Sequence, residues 1–322
     1  MAITDFTGAN SNTANLIASS LSTNFNVTPY YDDYDFTKEY YRILFKPGYS
    51  VQARELTQIQ TMIQSQIKRF GTNIFKDGTI ILPGAFNIRA NYGDVKGNPI
   101  PYVKIKNNDA SNTNTVNVYS FIGESIRGAS SNITAQVITV LDTDGTASNT
   151  KTLYVQYLSA STSNSAIRVF QPGETLGTAN NVLTAVVTNN DPVANTGYAS
   201  WFEITEGVFF AKDHFIYFPT QSAILERYNP NPSALVGFYV YENIVTASQD
   251  SSLLDPALEA SNYGAPGADR LRLDPELTVL PFGSTPPSDF ITLFSIANGN
   301  IQVLNSETQY NVINDQMAQR MY

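Results

Sequence analysis

The stretch Tyr49–Phe70 reads YSVQARELTQIQTMIQSQIKRF, and its periodicity decides how the rest of the chain can be organised. At about 100° per residue, Leu56, Ile59, Ile63, Ile67 and Phe70 fall within a stripe about 80° wide, with Met62 to one side. Most other positions are Gln, Thr, Ser, Lys or Arg. The pattern predicts an amphipathic helix about 30 Å long. Ser50, after the Pro47-Gly48 turn, is the expected N-cap, because its hydroxyl can accept a first-turn N–H. Lys68 and Arg69 suit the negative C-terminal end, and Gly71 can take the left-handed conformation that closes a helix.

A helix lying on its own sheet usually carries an apolar stripe of about 100° or more, whereas a coiled-coil seam is narrower. Leu56, Ile63 and Phe70 follow a heptad, with Ile59 at the intervening position. Two readings stay open: a helix packed on its own sheet, or a seam between identical chains around a symmetry axis. The run is the minimum length for the second reading, and the pattern alone does not choose between them.

With 322 residues the chain can hold two domains and a good core. Charged residues make up only 15% and aromatics 12%, and Asn, Ser and Thr crowd the loops. That composition suits β-rich extracellular or virion proteins more than cytosolic enzymes. A net charge of −9, with no basic block, argues against a nucleic-acid groove, which needs clustered Lys and Arg. Cysteine is absent, which removes disulfides, thiolate nucleophiles and Cys-based metal sites. The N-terminus lacks the basic region of a signal peptide, and no apolar run approaches the length of a membrane span. Neither Sec export nor membrane insertion is expected.

Residues 1–24 are rich in Ser, Thr, Asn and Ala. They bury too little apolar surface to order alone and read as a docking arm. Phe25–Phe45 then holds eight aromatics in a turn-rich stretch. Asp32-Asp33 follow an aromatic pair, and turn or helix-capping chemistry is the favoured reading over a metal or acid–base pair. After the helix, NIFKDGTIILPGAFNI reads as a strand, an Asp77-Gly78 turn and a second strand. The first main segment is therefore 25–101: aromatic segment, long helix and β-hairpin.

Residues 102–190 read as an inserted β-domain of short strands with an internal echo. FIGESIRGASSNITAQVIT (Phe121–Thr139) aligns with FQPGETLGTANNVLTAVVT (Phe170–Thr188) at an offset of 50 residues for Gly123-Glu124 and Gly173-Glu174. Gly128 pairs with Gly177 by a one-residue slip. Two copies are too few for a solenoid, so a compact domain of two related halves is expected. Glu124 and Glu174 could be taken for the carboxylate pair of a glycosidase, but equal places in a repeated turn favour a structural role.

Residues 191–322 read as the β-rich continuation of the main domain. Its strands include a pair about a Lys212-Asp213 turn and a buried strand in ALVGFYVYENIVTAS. The sole histidine, His214, has no GxSxG serine and no second histidine beside it, so an edge hydrogen bond is favoured over catalysis. Asp250, Asp255, Asp269 and Asp274 lack the spacing of a calcium loop, and capping and turns are favoured. The final SETQYNVINDQMAQRMY has no closing signal, so the natural chain is expected to run on past Tyr322.

The blocks Pro29–Gly71, Phe75–Gly84 (FKDGTIILPG), Val236–Val245 (VGFYVYENIV) and Ser252–Leu273 (SLLDPALEASNYGAPGADRLRL) together resemble a family of tailed-phage virion proteins. That family occurs in baseplates and tail fibres of contractile-tailed phages and cyanophages. The resemblance spans most of Phe25–Tyr322, interrupted by the repeated section, and excludes residues 1–24. It implies a structural, trimeric, attachment-proximal component located in the virion tail and made in the host cytoplasm, with no catalytic residues to carry over.

The expected fold is α+β and mostly β: one long N-terminal helix packed with antiparallel strands, plus the inserted small β-domain. The expected function is a self-associating baseplate or tail-fibre protein, a homotrimer joined through Leu56, Ile59, Ile63, Ile67 and Phe70. Other tail proteins would be met through residues 1–24. No enzyme activity, cofactor, metal, nucleic acid or membrane insertion is expected. Receptor or glycan binding by the inserted section is the alternative reading, and a polysaccharide depolymerase the second alternative.

Overall fold

A computed structural model describes residues 21–82, 98–108, 114–143, 150–159, 168–179, 182–189, 194–258 and 261–304. The expected arm therefore lies outside the described residues except for 21–24, and so does the C-terminal exit beyond 304.

Helix α1 spans Ala53–Ile74. It starts later than the Ser50 cap implies, because the Gln52 N–H donates to Glu55 Oε2 at 2.8 Å, which satisfies the N-terminus within the first turn. It also runs past Gly71, where closure was expected, and the Phe75 N–H donates to Gly71 O at 2.7 Å. Gly71 serves packing instead. A Cβ there would lie 2.5 Å from Phe210 Cε2.

Fifteen strands follow in the described residues: β1 (Thr79–Leu82), β2 (Asn98–Ile105), β3 (Ser125–Gly128), β4 (Thr134–Leu141), β5 (Lys151–Tyr157), β6 (Thr175–Thr178), β7 (Thr184–Val186), β8 (Thr196–Ile204), β9 (Gly207–Ala211), β10 (His214–Phe218), β11 (Gln221–Glu226), β12 (Ala234–Val245), β13 (Arg270–Pro281), β14 (Ile291–Ala297) and β15 (Asn300–Leu304). They form three sheets, ordered β1-β9-β10, β11-β8-β2-β5-β4-β3-β6-β7 and β13-β12-β14-β15. All their pairings are antiparallel. The chain is thus α+β and mostly β, with one long helix against antiparallel sheets.

The hairpin read at Asp77-Gly78 does not form. Asn73 and Ile74 belong to α1, and β1 pairs with the distant β9. The apolar run after the turn found its partner across the sequence, which local turn chemistry cannot announce. The Lys212-Asp213 turn does join β9 to β10. Both its residues take positive φ (48° and 64°), matching the right-handed strand twist of a two-residue hairpin.

Two large cores divide the interior. One draws on 202–296 and includes Phe202, Phe209, Phe218, Phe238 and Phe294, with edge-on ring contacts among them. The other lies wholly within 103–187 and includes Val103, Phe121, Ile126, Phe170 and Leu176. The section 102–190 therefore has its own core, yet it shares one sheet with the main body through β2, which pairs with both β5 and β8.

The internal echo is a local twofold. β3 and β6 pair as Ile126↔Thr178, Arg127↔Gly177 and Gly128↔Leu176, and each residue's repeat equivalent is 50 positions away (126/176, 127/177, 128/178). Pairing between equivalents in opposite order is what a twofold axis through Arg127 and Gly177 produces. The turn bonds repeat as well. Gly123 N–H donates to Val137 O and Gly173 N–H to Val187 O, at 2.9 and 3.1 Å. The structural counterpart of Gly128 is consequently Thr178, and the one-residue slip to Gly177 is not followed by the backbone.

Candidate functional site

Helix α1 meets its own chain through a largely polar side, with Met62 and Gly71 buried among it. Thr61 donates to the Asp32 carboxylate, Gln58 to Asp33, and Gln64 Nε2 to Asp213 O at 2.8 Å. Lys68 Nζ sits 2.9 Å from Asp213 Oδ2, with both side chains almost fully enclosed. Lys68 was expected to face the helix dipole at the C-terminus, but the longer helix places it mid-run, where a carboxylate replaces the lost water. Asp32 also accepts the Tyr34 N–H, the local turn bond expected of it. It and Asp33 hold the flank of α1 instead of capping its start.

The apolar stripe points away from this attachment. Thr61, Gln64, Lys68 and Gly71 lie roughly 120° round the helix from the mean of the stripe. Leu56, Ile63 and Phe70 are 52%, 55% and 65% exposed, and Ile59 and Ile67 are half-buried. Large apolar side chains in a heptad row with water on them are not the face by which α1 packs on its own sheet.

Beside α1 lies a cleft of about 810 Å³ between the aromatic segment, the helix, the Asp213-His214 corner and Ala268–Leu271. Its acids are engaged: Asp32 with Thr61, Asp213 with Lys68, and Asp269 accepting the Tyr30 hydroxyl at 2.6 Å. That hydrogen bond to Asp269 raises the Tyr30 pKa. His214 places Nδ1 2.6 Å from Lys212 O on edge strand β10. Among the described residues it meets no hydroxyl.

Ser22 and Thr23, in the last residues of the expected arm, are fastened between Leu21 and Phe25, which line this cleft. Glu242 on β12 accepts the N–H groups of Ser22 and Thr23 and the Thr23 hydroxyl, at 2.9, 2.8 and 2.6 Å. Lys212 Nζ donates to the same carboxylate at 2.9 Å and to Val240 O at 3.0 Å. Enclosure by itself would raise the Glu242 pKa. The Thr23 hydroxyl, the Ser22 amide, Lys212 and the Thr23 amide outweigh it and bring the pKa down to about 2.

The remaining acids are placed individually. Asp250 accepts the Ser252 N–H and Asp255 the Ala257 N–H, both turn caps. Asp274 accepts from Asn243 across the sheet and from Arg272. Glu174 is buried and accepts from Gln171, Ser130 and Ser131 amides, while Glu124 is exposed. Among the described residues no three acidic or histidine side chains gather as metal ligands. Sequence reading missed Glu242, Lys212 and the Lys68–Asp213 pair. All are single charges on separate segments, and only the folded chain brings them together.

A family model described as a domain of unknown function (DUF4815) matches residues 28–119 and 177–322. The unmatched 120–176 fall inside the repeated β-section. No curated protein and no solved structure matches the chain.

Proposed function

The chain belongs to the DUF4815 family, and we propose, on the exposed α1 stripe and the resemblance of its sequence blocks, that it is a structural protein of a phage virion. Its place is the baseplate or the baseplate-proximal part of a tail fibre, where it self-associates as a homotrimer and connects the tail to a host-binding appendage. The role is assembly, without a catalytic step, cofactor or metal. Residues 1–24 are the part that meets neighbouring tail proteins.

One observation carries the reading. Leu56, Ile63 and Phe70 repeat every seven residues and stand more than half exposed, on a helix whose other side is fixed to its own chain by the Lys68–Asp213 pair. A row of this kind is stabilised when water is excluded from it, and identical helices around an axis do that by knobs-into-holes packing. The sequence blocks that resemble tail proteins supply the virion setting.

Light scattering on a sizing column tests the self-association. The expected mass is three times 35.4 kDa, and a stable monomer at all concentrations overturns the trimer. Density for this chain away from the tail in a reconstruction of the intact particle overturns the location.

A further inference from the structure

Six residues ahead of α1, Tyr40–Phe45, read YYRILF. Tyr, Ile and Phe are among the strongest strand formers, and five of the six side chains are apolar or aromatic. The segment nevertheless belongs to no strand or helix. No backbone hydrogen bond joins any of the six to another described residue. In a strand, Tyr40, Arg42 and Leu44 would line one face and Tyr41, Ile43 and Phe45 the other. Both rows face water: Leu44 is 73% exposed and Tyr41 62%.

A surface connection ordinarily carries polar side chains that suit solvent. This one has the composition of a strand covered on both faces, and its free N–H and C=O groups form a template for another chain. We propose that Tyr40–Phe45 is a donated strand, pairing in trans with a second copy of this chain.

The inference rests on α1 as the self-association face, and two observations favour a second copy as the occupant. Tyr49 and Val51 are also exposed, and only the seven residues 46–52 separate Tyr40–Phe45 from α1, so copies meeting at the stripe bring these segments close to one another. At about 150–250 Å² per aromatic side chain, the exposed apolar area between Tyr40 and Phe70 is on the order of 1,000 Å². That matches one partner's share of a stable interface.

Hydrogen exchange on the full chain, followed at assembling and at dissociating concentrations alongside light scattering, tests this. The expected result is that amides 40–45 exchange on the order of a hundredfold more slowly in the assembly than in the diluted monomer. An assembly with these amides still in fast exchange overturns the donated strand and leaves self-association standing. Slow exchange that persists in the monomer overturns it too, by placing the partner strand in the same chain. A chain that never assembles removes the reading beneath it.

Discussion

Glu174 fills the space that Gly128 leaves empty. A Cβ on Gly128 would fall inside van der Waals contact of Glu174 Oε1 and Ser131 Oγ. Across the local twofold the arrangement is different. Thr178 stands where Gly128 does, its hydroxyl accepting the Leu183 N–H at 3.3 Å, and Glu124, the counterpart of Glu174, is left in solvent. Two halves with one backbone plan have thus divided their chemistry, and only one carboxylate became part of the fold.

That division gives unequal outcomes for the same substitution. Glu174→Ala removes the acceptor from the amides of Gln171, Ser130 and Ser131. It is expected to destabilise by about 3 kcal/mol, since buried N–H groups lose their partner. Glu124→Ala is expected to change stability by less than about 0.5 kcal/mol. Urea unfolding of the two variants, side by side, reads the difference. Equal effects would mean that Glu174 does not hold the 130–131 turn.

Acid should act on the arm root through Glu242. Its pKa is lowered from 4.5 to about 2 in the folded chain. The stabilisation is therefore fully present above about pH 4.5 and is lost as pH falls towards 2, amounting to about 3 kcal/mol at most. Proteolysis near Ser22 and Thr23, assayed with an acid-active protease, is expected to rise over that window. Glu242→Gln, which keeps an acceptor without a titrating charge, should flatten the response and leave the root looser at neutral pH.

The Lys68–Asp213 pair fixes α1 to the β9–β10 turn in an enclosed setting. Lys68→Met removes the cation beside the enclosed Asp213 carboxylate and is expected to cost about 3–5 kcal/mol. Asp213→Asn keeps a residue tolerant of the positive φ of 64° at that corner. The double variant should recover part of the loss, which a double-mutant cycle in thermal or chemical unfolding would register. Strict additivity of the two single changes would show that the charges do not depend on each other.

What could be read in the sequence was local or periodic. The α1 stripe, the Lys212-Asp213 hairpin, the long β12 strand and the repeated turns all announce themselves within about twenty residues, through side-chain period or turn chemistry. The C-terminal end of α1 lies beyond Gly71 because Gly71 has a second use, as the site where Phe210 comes close, and the start lies beyond Ser50 because Glu55 takes the Gln52 N–H. The Asp77-Gly78 hairpin failed for a similar reason, since β1 pairs with β9 from far along the chain. The candidate site divides in the same way. The period alone groups Leu56, Ile63 and Phe70, which stand exposed, with Ile59 and Ile67, which are half-buried, whereas Glu242, Lys212 and the Lys68–Asp213 pair depend on long-range closure that no spacing encodes.

The two sides of α1 can be separated by a matched pair of substitutions. Gly71→Ala in an ordinary helix interior would gain about 0.5–1 kcal/mol by reducing backbone entropy. Here the added Cβ would lie 2.5 Å from the Phe210 ring, so the sign reverses and a loss of about 1–3 kcal/mol in folding stability is expected from overpacking. Assembly, measured by light scattering on the folded fraction, should be unaffected. Ile63→Glu does the opposite. Its side chain is 55% exposed, so folding stability of the isolated chain should shift by less than about 0.5 kcal/mol, while each copy loses about 2 kcal/mol or more of association energy once a carboxylate must enter the seam. If Ile63→Glu lowers the melting temperature and leaves the mass unchanged, the stripe belongs to the core of its own chain, and the copies, if they meet, meet elsewhere.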